Sequence, residues 1–471
     1  MTQKIAHMLA YLQYVRILNH ASDVVAAAPP RDATTPWTSA MNAPFTPKVV
    51  ETSLAGGPMA LRRFSVLIVG GGAAGITVAA ELRRHRPQAS VAIIESSETH
   101  SYQPGWTLVG GGVFTPGQTQ RREETLIPSG VTWIRQAAAL FHPDSDAVEL
   151  ADGSRIGYDQ VVVCPGLQLD WGKVQGLEET LGRNGVCSNY RIDAAAYTWE
   201  CIKGLKGGAA VFTQPPMPIK CAGAPQKIMY LTADHLRKKG LLCSTTIRFC
   251  LAGDVLFGVP FFVPPLQAAV DRYGIDVNYR YDLKAVDGPA RKAIFAVTGS
   301  DGTSREEVVP FDMLHVVPPQ SAPDIVKRSP LANAAGWVEV DPATLRHVRH
   351  ANVFGLGDAA GTTNAKTAAA VRLQAPVVVR NLVAALDGKP LPATYDGYGS
   401  CPLTTAYGEV VMAEFAYGGK VTPSFPLDPR VPRSSMWHLK TRFLPYLYWK
   451  MMLRGSEFDI KHRERSFAKA A

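Results

Sequence analysis

The 471-residue sequence has no uninterrupted run of eighteen apolar residues, which argues against a membrane-spanning helix. Charged residues make up only 19% of the chain and hydrophobic residues 46%, a balance that excludes disordered and fibrous proteins and leaves ample core for two or three domains. The seven cysteines form no Cys-x-x-Cys pair and show no Cys/His spacing suited to zinc. We therefore expect neither a metal site nor a secreted disulfide scaffold.

Basic charge is concentrated at one end of the chain. Residues 430–471 carry ten Lys/Arg against three Asp/Glu, so they contribute +7 of the formal net charge of +9. A basic end suits an anionic membrane surface, an anionic substrate or nucleic acid. Because no nucleic-acid recognition motif accompanies the charge, we expect no nucleic-acid partner.

Residues 1–60 are rich in Ala, Thr and Pro and show no alternation of strands and helices. Three interpretations stay open for them: an organelle transit peptide, a disordered extension, or a mis-assigned start upstream of Met59. The first 35 residues contain three Lys/Arg and two acidic residues, which is few basic residues for a transit peptide. This extension is therefore left out of the predicted fold.

A nucleotide-binding motif begins directly after the predicted strand 65–69. The turn Gly70-Gly-Gly72-Ala-Ala-Gly75 opens a predicted helix, and Glu95 follows a second strand twenty residues after the last glycine. Gly70 permits the tight turn, Gly72 lets the backbone approach a pyrophosphate, and Gly75 allows the helix to pack closely on the strand. An acid at the position of Glu95 binds ribose hydroxyls. The motif predicts a dinucleotide site.

The middle of the chain lacks a second cradle of this kind. The predicted strand 209–213 is followed by four prolines and Cys221 within residues 214–225, where a nicotinamide pyrophosphate would need glycine. Later in the chain, a predicted strand ends at Asp358, and Lys366 precedes a predicted helix whose N-terminus could face a flavin ring. These features favour FAD as the dinucleotide, reduced by a donor other than a nicotinamide.

The cysteines differ in their surroundings. We expect Cys164, Cys201, Cys243 and Cys250 to pack in the core, as free cysteines usually do. Cys221 stands beside Lys220 before a predicted helix, and such neighbours lower a thiol pKa. Cys401 lies 180 residues further on, in Gly399-Ser-Cys-Pro402. The residues alone leave open whether these two cysteines meet.

The chain resembles the sulfide:quinone oxidoreductase family, in the branch that contains the mitochondrial enzyme and its bacterial relatives. The segments that carry the resemblance are Tyr102-Gln-Pro-Gly-Trp-Thr-Leu-Val-Gly110, Lys220-Cys-Ala-Gly-Ala-Pro-Gln-Lys-Ile-Met-Tyr-Leu231, Lys366-Thr-Ala-Ala-Ala-Val371, Tyr395-Asp-Gly-Tyr-Gly-Ser-Cys-Pro-Leu403 and Phe443-Leu-Pro-Tyr-Leu-Tyr-Trp-Lys-Met-Met-Leu-Arg-Gly455. Together they span about residues 64–455.

The resemblance implies an α/β fold with two Rossmann-like domains of the FAD-dependent pyridine nucleotide-disulfide reductase type, and a C-terminal membrane-interface segment. The expected domains are an FAD-binding domain at 64–184 plus 320–398, a second Rossmann-like domain at 185–319, and a C-terminal redox-cysteine and membrane-association region at 399–471.

The resemblance also implies site residues. Non-covalent FAD is expected to contact Ala73, Ala74, Glu95, Gln103, Ala138, Asp358, Lys366, Thr367, Ala368 and Ala369, in addition to the motif glycines Gly70, Gly72 and Gly75. The expected catalytic residues are the redox pair Cys221 and Cys401 and the lysines Lys227 and Lys440. Cys187 stands close to the sequence position at which a more distant bacterial branch of the family has a third functional cysteine.

The implied reaction is sulfide oxidation. Hydrosulfide attacks a sulfur bridge between Cys221 and Cys401, leaving a persulfide on Cys401, and the Cys221 thiolate donates electrons to the flavin. Glutathione, sulfite or coenzyme A removes the sulfane sulfur, the lysines stabilise anionic sulfur, and ubiquinone or another membrane quinone accepts the electrons.

Two other functions are weighed against this one. A type-II NADH:quinone oxidoreductase would need the missing central cradle, and a non-catalytic FAD-binding sensor would be expected to lack one of the two cysteines. For the location we expect a peripheral protein of the bacterial plasma membrane, with the mitochondrial inner membrane as the alternative.

Overall fold

The computed structural model describes residues 61–457 together with His462, Glu464 and Phe467. The predicted extension at residues 1–60 lies outside this part of the chain. The strands run, in chain order, β1 Arg63–Val69, β2 Val91–Ile94, β3 Thr99–Ser101, β4 Gln120–Arg122, β5 Val131–Ile134, β6 Ala138–His142, β7 Ala147–Leu150, β8 Arg155–Val163, β9 Gln168–Leu169, β10 Val186–Cys187, β11 Gly208–Gln214, β12 Thr245–Leu251, β13 Asp276–Tyr279, β14 Tyr281–Asp287, β15 Lys292–Thr298, β16 Ser304–Pro310, β17 Met313–His315, β18 Gln320–Ser321, β19 Val353–Gly355, β20 Gly399–Ala406 and β21 Glu409–Phe415.

The α-helices are α1 Ala73–His85, α2 Trp106–Gly110, α3 Leu177–Thr180, α4 Ile192–Gly204, α5 Ala224–Lys238, α6 Val263–Tyr273, α7 Asp324–Lys327, α8 Ala368–Leu386, α9 Ser434–His438 and α10 Leu444–Tyr446. From α9 onward the backbone stays helical to residue 454, through two π-helical turns and a final 3₁₀ turn. We call residues 434–454 the C-terminal segment.

The first sheet carries the nucleotide-binding motif. Its strands lie in the order β5-β2-β1-β8-β7-β6, and β19 pairs with the second half of β8. Strands β5, β2, β1, β8 and β19 run parallel, so their carboxyl ends meet at one edge, the edge at which open α/β sheets bind ligands. Strand β1 is an apolar run whose side chains from Val66 to Val69 are buried on both faces.

The second sheet has the order β10-β17-β11-β12-β13, and all of its paired strands are parallel. Helix α5 connects β11 to β12, as in a Rossmann crossover. The strands β14, β15 and β16 form a separate antiparallel meander. The expected α/β fold is confirmed, whereas the expected domain boundaries stay a prediction.

Helix α8 is long and apolar enough to cross a membrane by length and composition, although the chain has no unbroken apolar run of that length. In this structure 61% of the most apolar eighteen-residue stretch of the helix is buried inside the protein, and the helix packs along α1. We therefore describe α8 as a core helix of the first sheet.

Candidate functional site

A cavity of about 510 Å³ lies at the carboxyl edge of the first sheet and extends to the turn before α5. We call it the cofactor cavity. Of the predicted site residues, it is lined by Gly70, Gly72, Ala73, Ala74, Glu95, Gln103, Cys221, Lys227, Asp358, Lys366, Thr367, Ala368, Ala369 and Lys440. Three predicted residues, Gly75, Ala138 and Cys401, are not among its lining. A more open cavity of about 620 Å³, between residues 175–184 and 285–294, includes none of the predicted site residues.

The three motif glycines have different surroundings. Gly70 has a φ of +109°, and a Cβ there would lie 2.5 Å from the carbonyl oxygen of Cys164. A Cβ on Gly75 would lie 1.9 Å from the carbonyl oxygen of Gly70. A Cβ on Gly72 would meet nothing within 4 Å. Gly70 and Gly75 thus allow the turn to fold, while Gly72 leaves space on the cavity side for a ligand such as a pyrophosphate.

Glu95 follows β2 and is held at the cavity edge by two backbone amides. Its Oε2 accepts a hydrogen bond from the amide of Gly71 at 2.8 Å, and its Oε1 accepts one from Ser97 at 2.7 Å. Ala138, the first residue of β6, is not among the residues that line the cavity, although it follows the end of β5 at Ile134 by only four residues. Its contact with the cofactor, expected from the resemblance, stays a prediction.

Asp358 and Lys366 close the cavity at the end of β19. The Nζ of Lys366 donates to the carbonyl oxygens of Asp358 at 2.8 Å and of Ala360 at 3.0 Å. Burial lowers the pKa of Lys366 to about 8 and raises the pKa of the Asp358 carboxyl above its ordinary value. Thr367 caps α8, its hydroxyl accepting from the amide of Ala370 at 3.2 Å. The N-terminus of α8 therefore faces the cavity.

Cys221 occupies a strained position in the turn between β11 and α5. Its φ is +51°, in the left-handed region that residues with a Cβ rarely adopt. The turn is held by two backbone hydrogen bonds, from the amide of Cys221 to the carbonyl of Lys366 at 3.0 Å and from the amide of Ala224 to the carbonyl of Cys221 at 2.7 Å. Strain that the surroundings maintain is typical of functional sites.

The Cys221 thiol lies between two partners. The Nζ of Lys227 is 3.0 Å from its Sγ, and the Cys401 side chain also hydrogen-bonds it. The hydrogen bond from Cys401 and the charge of Lys227 hold the pKa of Cys221 well below that of an ordinary thiol, although burial opposes them. The same hydrogen bond raises the pKa of Cys401, which burial raises further. Of the two, Cys221 is thus the thiol that ionises more readily.

The β20–β21 hairpin brings Cys401 to this point. Strand β20 packs against α5, where the hydroxyl of Thr404 donates to the carbonyl of Lys227 at 3.4 Å and the amide of Tyr407 donates to Asp234 at 3.0 Å. Both thiols are free in the structure, and Cys401 is only 1% exposed. Long-range packing therefore joins two cysteines whose proximity the sequence left open.

Two further lysines reach the same cavity. Burial, together with repulsion from Lys227, lowers the pKa of Lys440 to about 7. Lys220, expected only to lower the pKa of the neighbouring Cys221, donates to the Oε1 of Gln103 at 2.5 Å, and burial lowers its own pKa to about 8. The signal for Lys220 was its place next to Cys221 in the Lys220-Cys segment.

The remaining cysteines lie elsewhere. Cys187 is fully buried in the core of the second sheet, where its side chain hydrogen-bonds that of Cys201. Neither lines the cofactor cavity. Cys243, expected to pack in the core, is exposed because it lies in the turn before β12.

The C-terminal segment packs inward, which does not confirm the expected membrane-interface segment. Phe443, Tyr448 and Trp449 are buried, and the first two line the cofactor cavity. Only Tyr446 among the aromatic residues of 443–449 is markedly exposed, at 42%. Most aromatic side chains of residues 443–449 thus lie inside the protein, and contact of this segment with a membrane stays a prediction.

Comparison with known proteins places the chain in a family. The sequence model of the pyridine nucleotide-disulphide oxidoreductases matches residues 64–190. The mitochondrial sulfide:quinone oxidoreductase of Mus musculus is 41% identical over 396 residues, covering 84% of this chain and 88% of that protein. The mitochondrial sulfide:quinone oxidoreductase of Dictyostelium discoideum is 42% identical over 396 residues, covering 83% of this chain and 86% of that protein.

The fold has a solved counterpart. The sulfide:quinone oxidoreductase of Aquifex aeolicus superposes with a TM-score of 0.67 at 20% identity, covering 84% of this chain and 92% of that one.

These findings confirm the expected oxidoreductase, its FAD cofactor and its reaction, the oxidation of sulfide with reduction of a quinone. They do not support the expected bacterial plasma membrane, since the relatives of 41% and 42% identity are mitochondrial. The chain belongs to the sulfide:quinone oxidoreductase family.

Proposed function

We propose that the chain oxidises sulfide at the Cys221–Cys401 pair, beside the cofactor cavity, and delivers the electrons through FAD to a quinone. One observation carries this proposal: the half-buried Sγ of Cys221 has the Nζ of a lysine at 3.0 Å and a second thiol within hydrogen-bonding reach. Such a pair can exchange between dithiol and sulfur-bridged forms. Cys221 is the member that lines the cavity.

The cavity residues fit a bound dinucleotide. We assign the pyrophosphate to the turn at Gly70, Gly72, Ala73 and Ala74, and the ribose to Glu95. The polyol and ring portions are assigned to Gln103, Asp358 and the residues Lys366, Thr367, Ala368 and Ala369. When bound, FAD supplies a two-electron acceptor for the thiols and a two-electron donor for the quinone.

The sulfur chemistry balances on the two cysteines. Hydrosulfide attacks Cys401 in the bridged form, a sulfur–sulfur bond forms at Cys401, and the bond to Cys221 breaks to leave the Cys221 thiolate. A small acceptor then takes the outer sulfur of the Cys401 persulfide and leaves a thiol. With sulfite as acceptor the sum is thiosulfate, one proton and two electrons, and loss of those electrons re-forms the bridge.

The lysines favour the anionic forms of sulfur. Lys227 contacts Cys221 directly, and the charge of Lys440 also lowers the pKa of that thiol. In a buried site an ammonium group acts through a low dielectric, so its effect on a thiolate or persulfide exceeds its effect in water. Glutathione, sulfite and coenzyme A are all anionic, and we propose a small anionic acceptor of this class.

We propose a mitochondrial membrane as the location, by analogy with the mitochondrial relatives. The quinone is a membrane lipid, and the basic end of the chain supports contact with an anionic surface. In the C-terminal segment, the exposed Tyr446 and Lys450 are the residues that we assign to this contact.

The test is anaerobic flavin spectroscopy on the purified protein. Sulfide should bleach the flavin, a short-chain quinone should restore its colour, and NADH should have no effect. Cys221→Ser should abolish bleaching by sulfide, whereas Cys243→Ser, a change at the exposed cysteine, should not alter it. Full bleaching in the Cys221→Ser protein would show that the pair does not carry the reaction.

Bleaching by NADH alone would support the NADH:quinone alternative. The turn after β11 does not favour that alternative, because it holds Cys221 where a turn that binds the NADH pyrophosphate would need glycine. A non-catalytic FAD sensor would bind the cofactor and respond to neither reductant.

A further inference from the structure

A buried polar cluster joins the first sheet to the C-terminal segment. The Nε2 of His100 in β3 lies 2.6 Å from the hydroxyl of Tyr448, and its Nδ1 lies 3.2 Å from the Oε2 of Glu123. All three side chains line the cofactor cavity, and each residue is at most 3% exposed. A neutral imidazole satisfies both contacts, with Nδ1–H donating to Glu123 and Nε2 accepting from the Tyr448 hydroxyl.

One atom of this cluster lacks a partner. The Oε1 of Glu123 is buried and has no hydrogen-bond partner among the residues that the structure describes. It lies beside the glycine-rich turn, because a Cβ on Gly71 would approach this oxygen to 2.8 Å and the Glu95 side chain to 2.7 Å. Glu95 and Glu123 therefore converge on the same end of the cavity.

The chemistry of the two carboxylates selects the kind of ligand group. An ionised carboxylate only accepts hydrogen bonds, and a buried oxygen left without a donor costs free energy. Two acceptors at one place repel a phosphate and attract a group rich in donors. Sugar hydroxyls meet this requirement, and Glu95 already occupies the ribose position of the motif.

We propose that Glu123 is a second carboxylate for the sugar hydroxyls of the bound FAD. His100 and Tyr448 act as positioning residues that hold its Oε2, so that Oε1 faces the cofactor. The C-terminal segment thereby becomes part of the cofactor site, and FAD retention depends on its docking.

The packing around Tyr448 supports this dependence. Its ring lies 4.7 Å from that of Tyr102 and 5.0 Å from that of Trp449, centroid to centroid. Directly after the segment, a Cβ on Gly455 would lie 2.5 Å from the backbone carbonyl carbon of Ala80 in α1. The last turn of the segment also packs against α1, the helix that opens the nucleotide-binding motif.

The test measures FAD release from the full-length holoenzyme, diluted and followed by the rise of free-flavin fluorescence. Glu123→Gln should release FAD about tenfold faster, because one amide oxygen replaces two carboxylate oxygens and a tenfold change corresponds to about 1.4 kcal/mol. Tyr448→Phe should accelerate release about threefold to tenfold, since it removes one positioning hydrogen bond. The matched controls are Glu124→Gln and Tyr279→Phe, at exposed residues outside the cofactor cavity, and both should release FAD at the wild-type rate.

Wild-type release from both Glu123→Gln and Tyr448→Phe would overturn the proposal. A fall in unfolding temperature with unchanged release would do the same, because it would show a purely structural cluster. If Glu123→Gln does not fold, Tyr448→Phe decides alone. The readout needs no sulfide and no quinone, so its outcome is independent of the proposed cysteine chemistry.

Discussion

The Nζ of Lys227 lies 3.0 Å from the Sγ of Cys221 near the start of α5, where Lys227 is buried and Cys221 is half-buried. Cys221 lies in the turn after β11, and Lys227 stands in the first turn of the helix that follows it. One short segment thus supplies a thiol, a cation and a helix N-terminus, three features that favour a thiolate. The pair therefore sets the ionisation of the reactive sulfur.

Replacing Lys227 should raise the pKa of Cys221. In Lys227→Met the charge and the hydrogen bond disappear while the apolar stem is kept, so the pKa should rise by about one unit or more, which is about 1.4 kcal/mol. The measurement is the pH dependence of alkylation of the reduced enzyme, with Cys221 identified by peptide mapping. Lys239→Met, at the exposed end of the same helix, is the control, and an unshifted alkylation profile in Lys227→Met would contradict the assignment.

The contribution of Lys440 should depend on pH. Burial lowers its pKa to about 7, so the ammonium is charged below that pH and becomes neutral above it. The activity ratio of wild type to Lys440→Met should be about tenfold at pH 6 and should decline towards one by about pH 9. Taking kcat/KM for sulfide as a ratio at each pH removes the ionisation of sulfide itself.

Lys440→Arg supplies the second arm of that experiment. A guanidinium stays charged over the whole range, so this variant should retain more activity than Lys440→Met at high pH. A ratio of wild type to Lys440→Met that is constant with pH would show that the lysine does not act through its charge.

The two motif glycines Gly72 and Gly75 should respond differently to alanine. Gly75→Ala places a Cβ 1.9 Å from the carbonyl oxygen of Gly70, so it should lower the free energy of unfolding by about 3 kcal/mol. Gly72→Ala meets no protein atom within 4 Å, so it should leave unfolding within about 0.5 kcal/mol of wild type and weaken FAD binding instead. Urea unfolding and flavin content measure the two effects, and equal flavin content in Gly72→Ala and wild type would contradict the second prediction.

Glu81 should make the protein less stable as pH rises. Burial in α1, with a smaller effect of Glu457, raises the pKa of its carboxyl from 4.5 to about 8. The folded state then holds a proton that the unfolded state has lost, so the free energy of unfolding should fall between about pH 4.5 and pH 8. Glu81→Gln should remove part of this fall and gain about 2 kcal/mol at pH 8 relative to wild type.

Urea unfolding of the holoenzyme at several pH values measures this effect. Glu178→Gln, at an exposed acid, is the control and should follow the wild-type profile. Parallel profiles for Glu81→Gln and wild type would show that Glu81 is ionised in the folded protein.

Local patterns predicted the first sheet closely. The strand predicted at 65–69 is β1 Arg63–Val69, and the predicted second strand is β2 Val91–Ile94. The late strand and the helix after Lys366 also form as expected, with Thr367 as the cap of α8. These elements were predictable because strand, turn and helix signals lie in contiguous residues.

Predictions that depended on packing were less successful. The turn residue Cys243, expected to pack in the core, is exposed, and Ala138 and the membrane contact of the C-terminal segment stay predictions. Helix α8 is long and apolar enough to cross a membrane by length and composition, and yet it is a core helix in this structure. An apolar residue or segment can be covered by protein or by lipid, and its composition alone does not distinguish the two.

The sequence by itself determined the dinucleotide turn, the parallel sheet around it and the family, because each depends on patterns within short runs of neighbouring residues. Tertiary structure alone decided that Cys401 meets Cys221, since the β20–β21 hairpin must first pack on α5. It also decided that His100, which contacts Glu123, meets the hydroxyl of Tyr448, a residue 348 positions further along the chain. Such contacts arise from the packing of whole elements, and no local pattern records which elements will touch.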